Sequence, residues 1–127
     1  MKAFIRDRYG SPDVLDFANV EMPVVADHGV LVRVQASSVN QADLDYLYGR
    51  PAIARLGTGF RRPTSRGLGL DVAGQVEAVG KAVTRFQPGD EVFGDMTEFG
   101  YGAFAEYVAA PEQAFAPIPA GITVITI

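Results

Sequence analysis

The sequence has no cysteine, no tryptophan and a single histidine, His28, in 127 residues. Without cysteine there is no disulfide framework and no thiolate metal site. With one imidazole, a metal centre would have to be mostly carboxylate, and a serine–histidine–aspartate triad would have to pass through His28. His28 lies in the turn pattern Asp27-His28-Gly29 and reads as a surface residue. Long apolar runs are missing too. The longest, Tyr107 to Ala110, is four residues, far short of a membrane span. The start, Met1-Lys2-Ala3-Phe4-Ile5-Arg6, meets a charge after three apolar residues and lacks the apolar stretch of a secretory signal. The expected location is the cytoplasm. Positive charge is not in excess either. The net charge of −4 makes nucleic acid a poor general partner, because phosphate binding needs clustered cations.

What is present is ordinary globular composition, 48% hydrophobic and 20% charged, with 14 glycines and 8 prolines to make turns. One domain is the expectation at this length, with about two thirds of the unfolded surface buried. Charge is uneven along the chain. Residues 50–66 carry five arginines (Arg50, Arg55, Arg61, Arg62, Arg66) and no acid, whereas residues 67–127 carry two bases and eight acids. The arginine-rich stretch suits either a solvated loop pairing with surface acids or an anion site.

The patterning is mainly strand and turn. Lys2 to Asp7 reads as a strand, with Val14 to Asn19 as its hairpin partner. Val30, Val32, Val34 and Ala36 alternate with Leu31, Arg33 and Gln35, the period of a half-buried strand. Asn40 suits a helix N-cap, with Asp43 three residues on, Leu44 and Leu47 on one face, and Gly49 and Pro51 as the stop. Residues 52–69 form a long loop, and loops of that length are usually functional or mobile. Asp71 to Val79 alternates again, and Val92-Phe93, Ala103 to Val108 and Ala114-Phe115 are further short strands. Strands at this spacing predict a closed or nearly closed β-barrel.

Gly100-Tyr101-Gly102-Ala103-Phe104-Ala105 matches the loose dinucleotide pattern G-x-G-x-x-A. That pattern works only between a strand and a helix, with an acid about 20 residues on. The last acid is Glu112 and 22 residues follow Ala105, too few for a strand–helix–strand unit of about 30 residues. Glycines admitting a strand to a barrel corner explain the run better.

Five ordered motifs carry a family resemblance. They are Ser38-Val39-Asn40-Gln41-Ala42-Asp43, Gly69-Leu70-Asp71-Val72-Ala73-Gly74, Val79-Gly80, Pro88-Gly89-Asp90 with Val92-Phe93-Gly94, and Gly102-Ala103-Phe104-Ala105-Glu106-Tyr107-Val108. Over residues 1–122 the chain resembles the N-terminal domain of medium-chain dehydrogenases/reductases. The resemblance implies a mainly β fold, a GroES-like, partly open barrel with one or two short helices and no Rossmann domain in this chain. Zinc-dependent members carry a Cys where this chain has Asn40 and a His where it has Leu70, so the resemblance is to the zinc-independent quinone and enone reductase branch.

For that branch the resemblance implies NADPH or NADH as hydride donor, no zinc, and a small quinone or carbonyl substrate. Asn40, Tyr46 and Tyr48 are the candidate catalytic hydrogen-bond donors. Asn40, Asp43 and Asp71 are the candidates to border the cofactor. Each has a structural alternative: Asn40 as helix cap, Tyr46 and Tyr48 as packing residues, Asp43 as a backbone acceptor, Asp71 as a brace for the loop below the cleft. Some members have a Tyr at the position of Asp45, which this chain lacks. Members continue into an alanine-rich helix and a dinucleotide-binding sheet. Here Ile122 to Ile127 is an apolar, β-prone tail. The expectation is a GroES-like domain over 1–122, an atypical tail over 123–127, no dinucleotide-binding domain, and a chain inactive by itself. The alternative is a non-enzymatic binding module, self-associating through the tail.

Overall fold

The computed structural model describes residues 1–49 and 66–122. The arginine-rich stretch up to residue 65 and the 123–127 tail, with the self-association expected of it, lie outside the described residues. Arg66 is described, and its Nε pairs with Asp7 Oδ1 at 2.7 Å.

Seven strands and one α-helix are described, with short 3-10 turns at Pro12–Val14 and Glu112–Ala114. Strands β1 (Lys2–Ile5) and β2 (Asp16–Asn19) pair antiparallel as a separate hairpin. The main sheet contains β3 (Gly29–Ser38), β4 (Asp71–Val79), β5 (Glu91–Asp95), β6 (Tyr107–Pro111) and β7 (Phe115–Pro117) in the order β6-β3-β4-β5-β7, with antiparallel neighbours. An isolated bridge between Ala3 and Ala105 ties the hairpin to the sheet's surroundings. The barrel is therefore open rather than closed. Among the described residues no helix is long and apolar enough to cross a membrane.

Alternation explains β4 well. Val72, Gly74 and Val76 are buried, and the intervening residues are less so. Val72 and Val76 join Val30, Val32, Val92, Met96 and Phe115 in one apolar core. β3 departs from simple alternation: Val30, Leu31 and Val32 are consecutively buried. As a central strand it is paired along its start with both β4 and β6. Its register with β4 shifts between Leu31 and Val32 and again between Val34 and Ala36. Such irregularities increase the local twist and let a sheet curl.

Two sequence expectations shift. Ala103 to Val108 is not one strand, because β6 starts at Tyr107 and residues 103–106 approach it irregularly. Gly100, Tyr101 and Gly102 have φ of 92°, 64° and 104°, a left-handed turn that no strand accommodates. The α-helix, α1 (Gln41–Tyr48), forms where Asn40 predicts it and ends at Gly49 in the left-handed conformation. Its inner face is Asp43, Tyr46 and Leu47, whereas Leu44 is exposed. Tyr46 and Leu47 pack against Leu68, Val14, Tyr101 and Phe104 in a second, smaller cluster.

Candidate functional site

Three strand ends meet at one corner of the main sheet. In the ladder Ser38 of β3 lies opposite Asp71 of β4, which lies opposite Asp95 of β5. Two residues after Ser38 the chain enters α1 through Asn40. The glycines around Asp71 make this corner possible. A Cβ at Gly69, which has φ 100°, would sit 2.6 Å from the Phe104 backbone nitrogen, and one at Gly74 would meet the Arg33 carbonyl. The spacing Gly69-x-Asp71-x-x-Gly74 thus places Asp71 between two points of close backbone approach.

Asp71 organises the polar corner. Its Oδ2 accepts from Asn40 Nδ2 at 2.7 Å and from Ser38 Oγ at 3.2 Å, and its carbonyl accepts from Ser37 Oγ at 2.5 Å. Asn40 is held at its other end as well, because Oδ1 accepts the Ala42 amide at 2.9 Å. A backbone N–H only donates and a carboxylate only accepts, so the side-chain amide has one orientation. One Nδ2–H is used on Asp71. The second has no partner among the described residues, and Asn40 is exposed.

Asp43 completes a capping box by accepting the Asn40 amide at 2.8 Å. Its side chain is 6% exposed. Burial raises its pKa above the ordinary carboxylate range, and the charges of Asp71 and Asp95 add to the rise, against hydrogen bonds from the Asn40 and Leu70 amides.

Tyr46 shares the inner face of α1 with Asp43 but lies about one turn further along the helix. Its ring is stacked on Tyr101 at 3.9 Å between centroids, 13° from parallel. The Arg6 guanidinium lies 4.2 Å from the Tyr46 ring centre. Tyr48 is half-buried at the end of α1. Asn40, Asp43 and Asp71 are therefore brought together, while Tyr46 and Tyr48 are not among their hydrogen-bond partners. His28 is exposed. Burial raises the pKa of Tyr101, with an electrostatic contribution from Tyr46 in the same direction and the Arg6 cation opposing.

An apolar groove of about 830 Å³ adjoins the corner without containing it. Phe4, Leu15, Phe17, Val34, Ala36, Val39 and Phe104 line it, and it reaches the polar corner through Ser37 and Val39. Phe17 is 62% exposed and Val39 is 70% exposed.

Among the described residues, none that meets at this corner offers a cation to a dinucleotide's phosphates. Three carboxylates gather at the corner, which disfavours a polyanion. Gly100 to Ala105 turns into a β-bridge and strand, so no helix N-terminus follows it. Among the described residues no group of three or more side chains suits a metal ion.

Sequence reasoning missed Arg6, Ser37, Ser38 and Tyr101. β1 ends at Ile5, so strand parity carries no information about Arg6. The Gly-Tyr-Gly run does hold a signal for Tyr101, a residue between two glycines in a tight turn.

Residues 26–120 match the family described as the alcohol dehydrogenase GroES-like domain. The chain is 37% identical over 121 residues to a quinone oxidoreductase of Lama guanicoe, covering 94% of this chain and 34% of that protein. It is 34% identical over 129 residues to a chloroplastic NADPH-dependent alkenal/one oxidoreductase of Arabidopsis thaliana, covering 96% and 32%. Among solved structures, a quinone oxidoreductase of Pseudomonas syringae superposes with a TM-score of 0.79 at 31% identity, covering 96% of this chain and 34% of that one. One from Coxiella burnetii gives a TM-score of 0.81 at 26% identity, covering 97% and 38%. The chain thus spans about a third of the length of these relatives. By sequence and by fold, the chain belongs to the alcohol dehydrogenase GroES-like domain family of the medium-chain dehydrogenases/reductases.

Proposed function

We propose that this chain is the substrate-side domain of a zinc-independent reductase acting on a quinone or an α,β-unsaturated carbonyl. The domain reading covers residues 1–122. The observation that carries it is the Asn40 side chain, fixed at both ends and left with one exposed Nδ2–H. Reduction of such an acceptor places negative charge on its oxygen. A pre-oriented amide N–H stabilises that charge without having to reorganise. Asp71 fixes the donor's direction, and Ser37 and Ser38 fix Asp71. Asp43 holds the helix start on which Asn40 sits.

The hydride in this reading comes from NADPH, bound by a part of the protein other than the described residues. This chain's residues bind and orient the acceptor. The NADPH-dependent relative supports the choice of cofactor. Support for a zinc-free site is chemical: the whole sequence has no cysteine, and Asn40 and the buried Leu70 are not zinc ligands. The setting is the cytoplasm, where reduced nicotinamide is available.

The test is quinone turnover with NADPH by the 127-residue chain, alone and joined to the cofactor domain of a relative. The chain alone is expected to be inactive, and the joined protein active. In the joined protein Asn40→Ala is expected to lower kcat/KM by roughly 10- to 100-fold, the effect of losing one oxyanion donor or somewhat less. Turnover by the chain alone overturns the inactive-domain reading. An unchanged kcat/KM for N40A overturns the role of Asn40.

A second reading, a non-enzymatic self-associating module, is favoured by the exposed Phe17 and Val39 in the groove. Light scattering on the purified chain decides it, since a strict monomer at high concentration excludes self-association.

A further inference from the structure

Arg6 is fully buried, at 0% exposure. No acid pairs with it among the described residues, and residues 50–65 contain no Asp or Glu. Its Nη1 donates to the Tyr46 carbonyl at 3.0 Å and to the Leu47 carbonyl at 3.1 Å. Its planar head lies 4.2 Å from the centre of the Tyr46 ring and 5.1 Å from that of Tyr9. Nε and Nη2 have no hydrogen-bond partner among the described residues.

This is a costly arrangement. A buried cation without a counter-charge carries a desolvation penalty of several kcal/mol, which an apolar side chain of similar length avoids. What an apolar side chain cannot do is hold two carbonyls in the last turn of α1. There the helix dipole also favours a cation.

The opposite end of α1 carries Asn40. A helix of eight residues is marginal by itself, so its position depends on what grips its ends. The rise is about 1.5 Å per residue. A slide of α1 by one such step changes the 2.7 Å separation of Asn40 Nδ2 from Asp71 Oδ2 by up to about 1.5 Å, and a lengthening of about 0.5 Å is enough to pass the ~3.2 Å limit of a good hydrogen bond.

We propose that Arg6 is a positioning residue for Asn40, fixing α1 along its axis by gripping the Tyr46 and Leu47 carbonyls. The link to turnover rests on the reading of Asn40 as the donor to the acceptor. The geometric claim does not, and the test below needs no cofactor, no substrate and no second domain.

The test is NMR of the ¹⁵N-labelled 127-residue chain, following the Asn40 side-chain amide. In the wild type one Nδ2 proton is expected downfield of free asparagine, because it is held on Asp71 Oδ2. In Arg6→Met it is expected to return to the free position, while the β3–β4 cross-strand signals stay in place. Arg6→Lys keeps the cation but replaces the planar head with a single ammonium, and is expected to move the signal in the same direction by less. If R6M does not fold, R6K alone decides. Val108→Ala, a core truncation remote from α1, controls for loss of stability and is expected to leave the Asn40 signal unmoved. An unmoved Asn40 signal in folded R6M, or in R6K where R6M is unfolded, overturns the proposal. So does an equal displacement in V108A. A failed turnover assay overturns the proposed function instead and leaves this result standing.

Discussion

The Tyr101 ring lies face to face with the Tyr46 ring, 3.9 Å between centroids, on a backbone whose φ is 64°. Tyr101 is the only non-glycine with positive φ among the described residues. A bulky residue in that region costs about 1–2 kcal/mol. The turn is held by Phe99 and Tyr101 amides that both donate to the Met96 carbonyl. Strain and stack therefore oppose each other at one residue, and the stack, worth about 0.5–1.5 kcal/mol beyond its buried area, helps to retain it.

Two substitutions separate these contributions. Tyr101→Ala removes the ring and keeps the strained backbone, so a loss of about 2–3 kcal/mol is expected. Tyr101→Gly removes the same ring and one carbon more, but relieves the backbone by about 1 kcal/mol. Y101G should therefore be the more stable of the two by urea unfolding. The reverse order would show that the left-handed turn carries no strain.

A second expectation concerns the Asp71 corner. Gly74→Ala drives a methyl into the Arg33 carbonyl in the centre of the β3–β4 ladder. Backbone cannot step aside there without breaking strand pairing. A loss of at least about 3 kcal/mol is expected, the upper range of overpacking effects. Gly89→Ala is the comparison: no atom lies within 4 Å of the added carbon, so only the positive φ of 97° opposes it. Its cost should be near 1 kcal/mol. Equal midpoints for the two in urea would remove close approach as the reason for Gly74.

The same contrast explains what could be read from the sequence. β4 was legible because one face packs on the core, so polarity alternates residue by residue. The start of α1 was legible because capping is local chemistry: Asn40 and Asp43 need only each other and the adjacent amides. The hydrogen bond from Asn40 to Asp71 spans 31 residues, and neither residue announces the other. Arg6 was not legible for a related reason. The two carbonyls it grips and the Tyr46 ring are 40 residues or more away, and nothing in a sequence distinguishes one backbone carbonyl from another. Leu44 was assigned to the inner face on hydrophobicity, yet the buried positions are Asp43, Tyr46 and Leu47. Asp43 accepts from the Leu70 amide and Tyr46 stacks on Tyr101, contacts between distant parts of the chain that hydrophobicity does not register.

The last expectation follows from the burial of Asp43. Its folded pKa is raised, first by burial and then by Asp71 and Asp95. The folded state therefore binds the proton more tightly than the unfolded chain does. This contribution to stability is full below the unfolded pKa and is lost as pH rises through the folded pKa, leaving a constant deficit above it. Asp43→Asn removes the titration and keeps an oxygen able to accept from the Asn40 amide. The measurement is unfolding free energy in urea from acid to neutral pH, wild type minus D43N, which cancels groups common to both. That difference should fall as pH rises and become flat toward neutrality. A difference that instead rises with pH would mean that the two amide hydrogen bonds outweigh burial, and that Asp43 is held as a stabilised carboxylate.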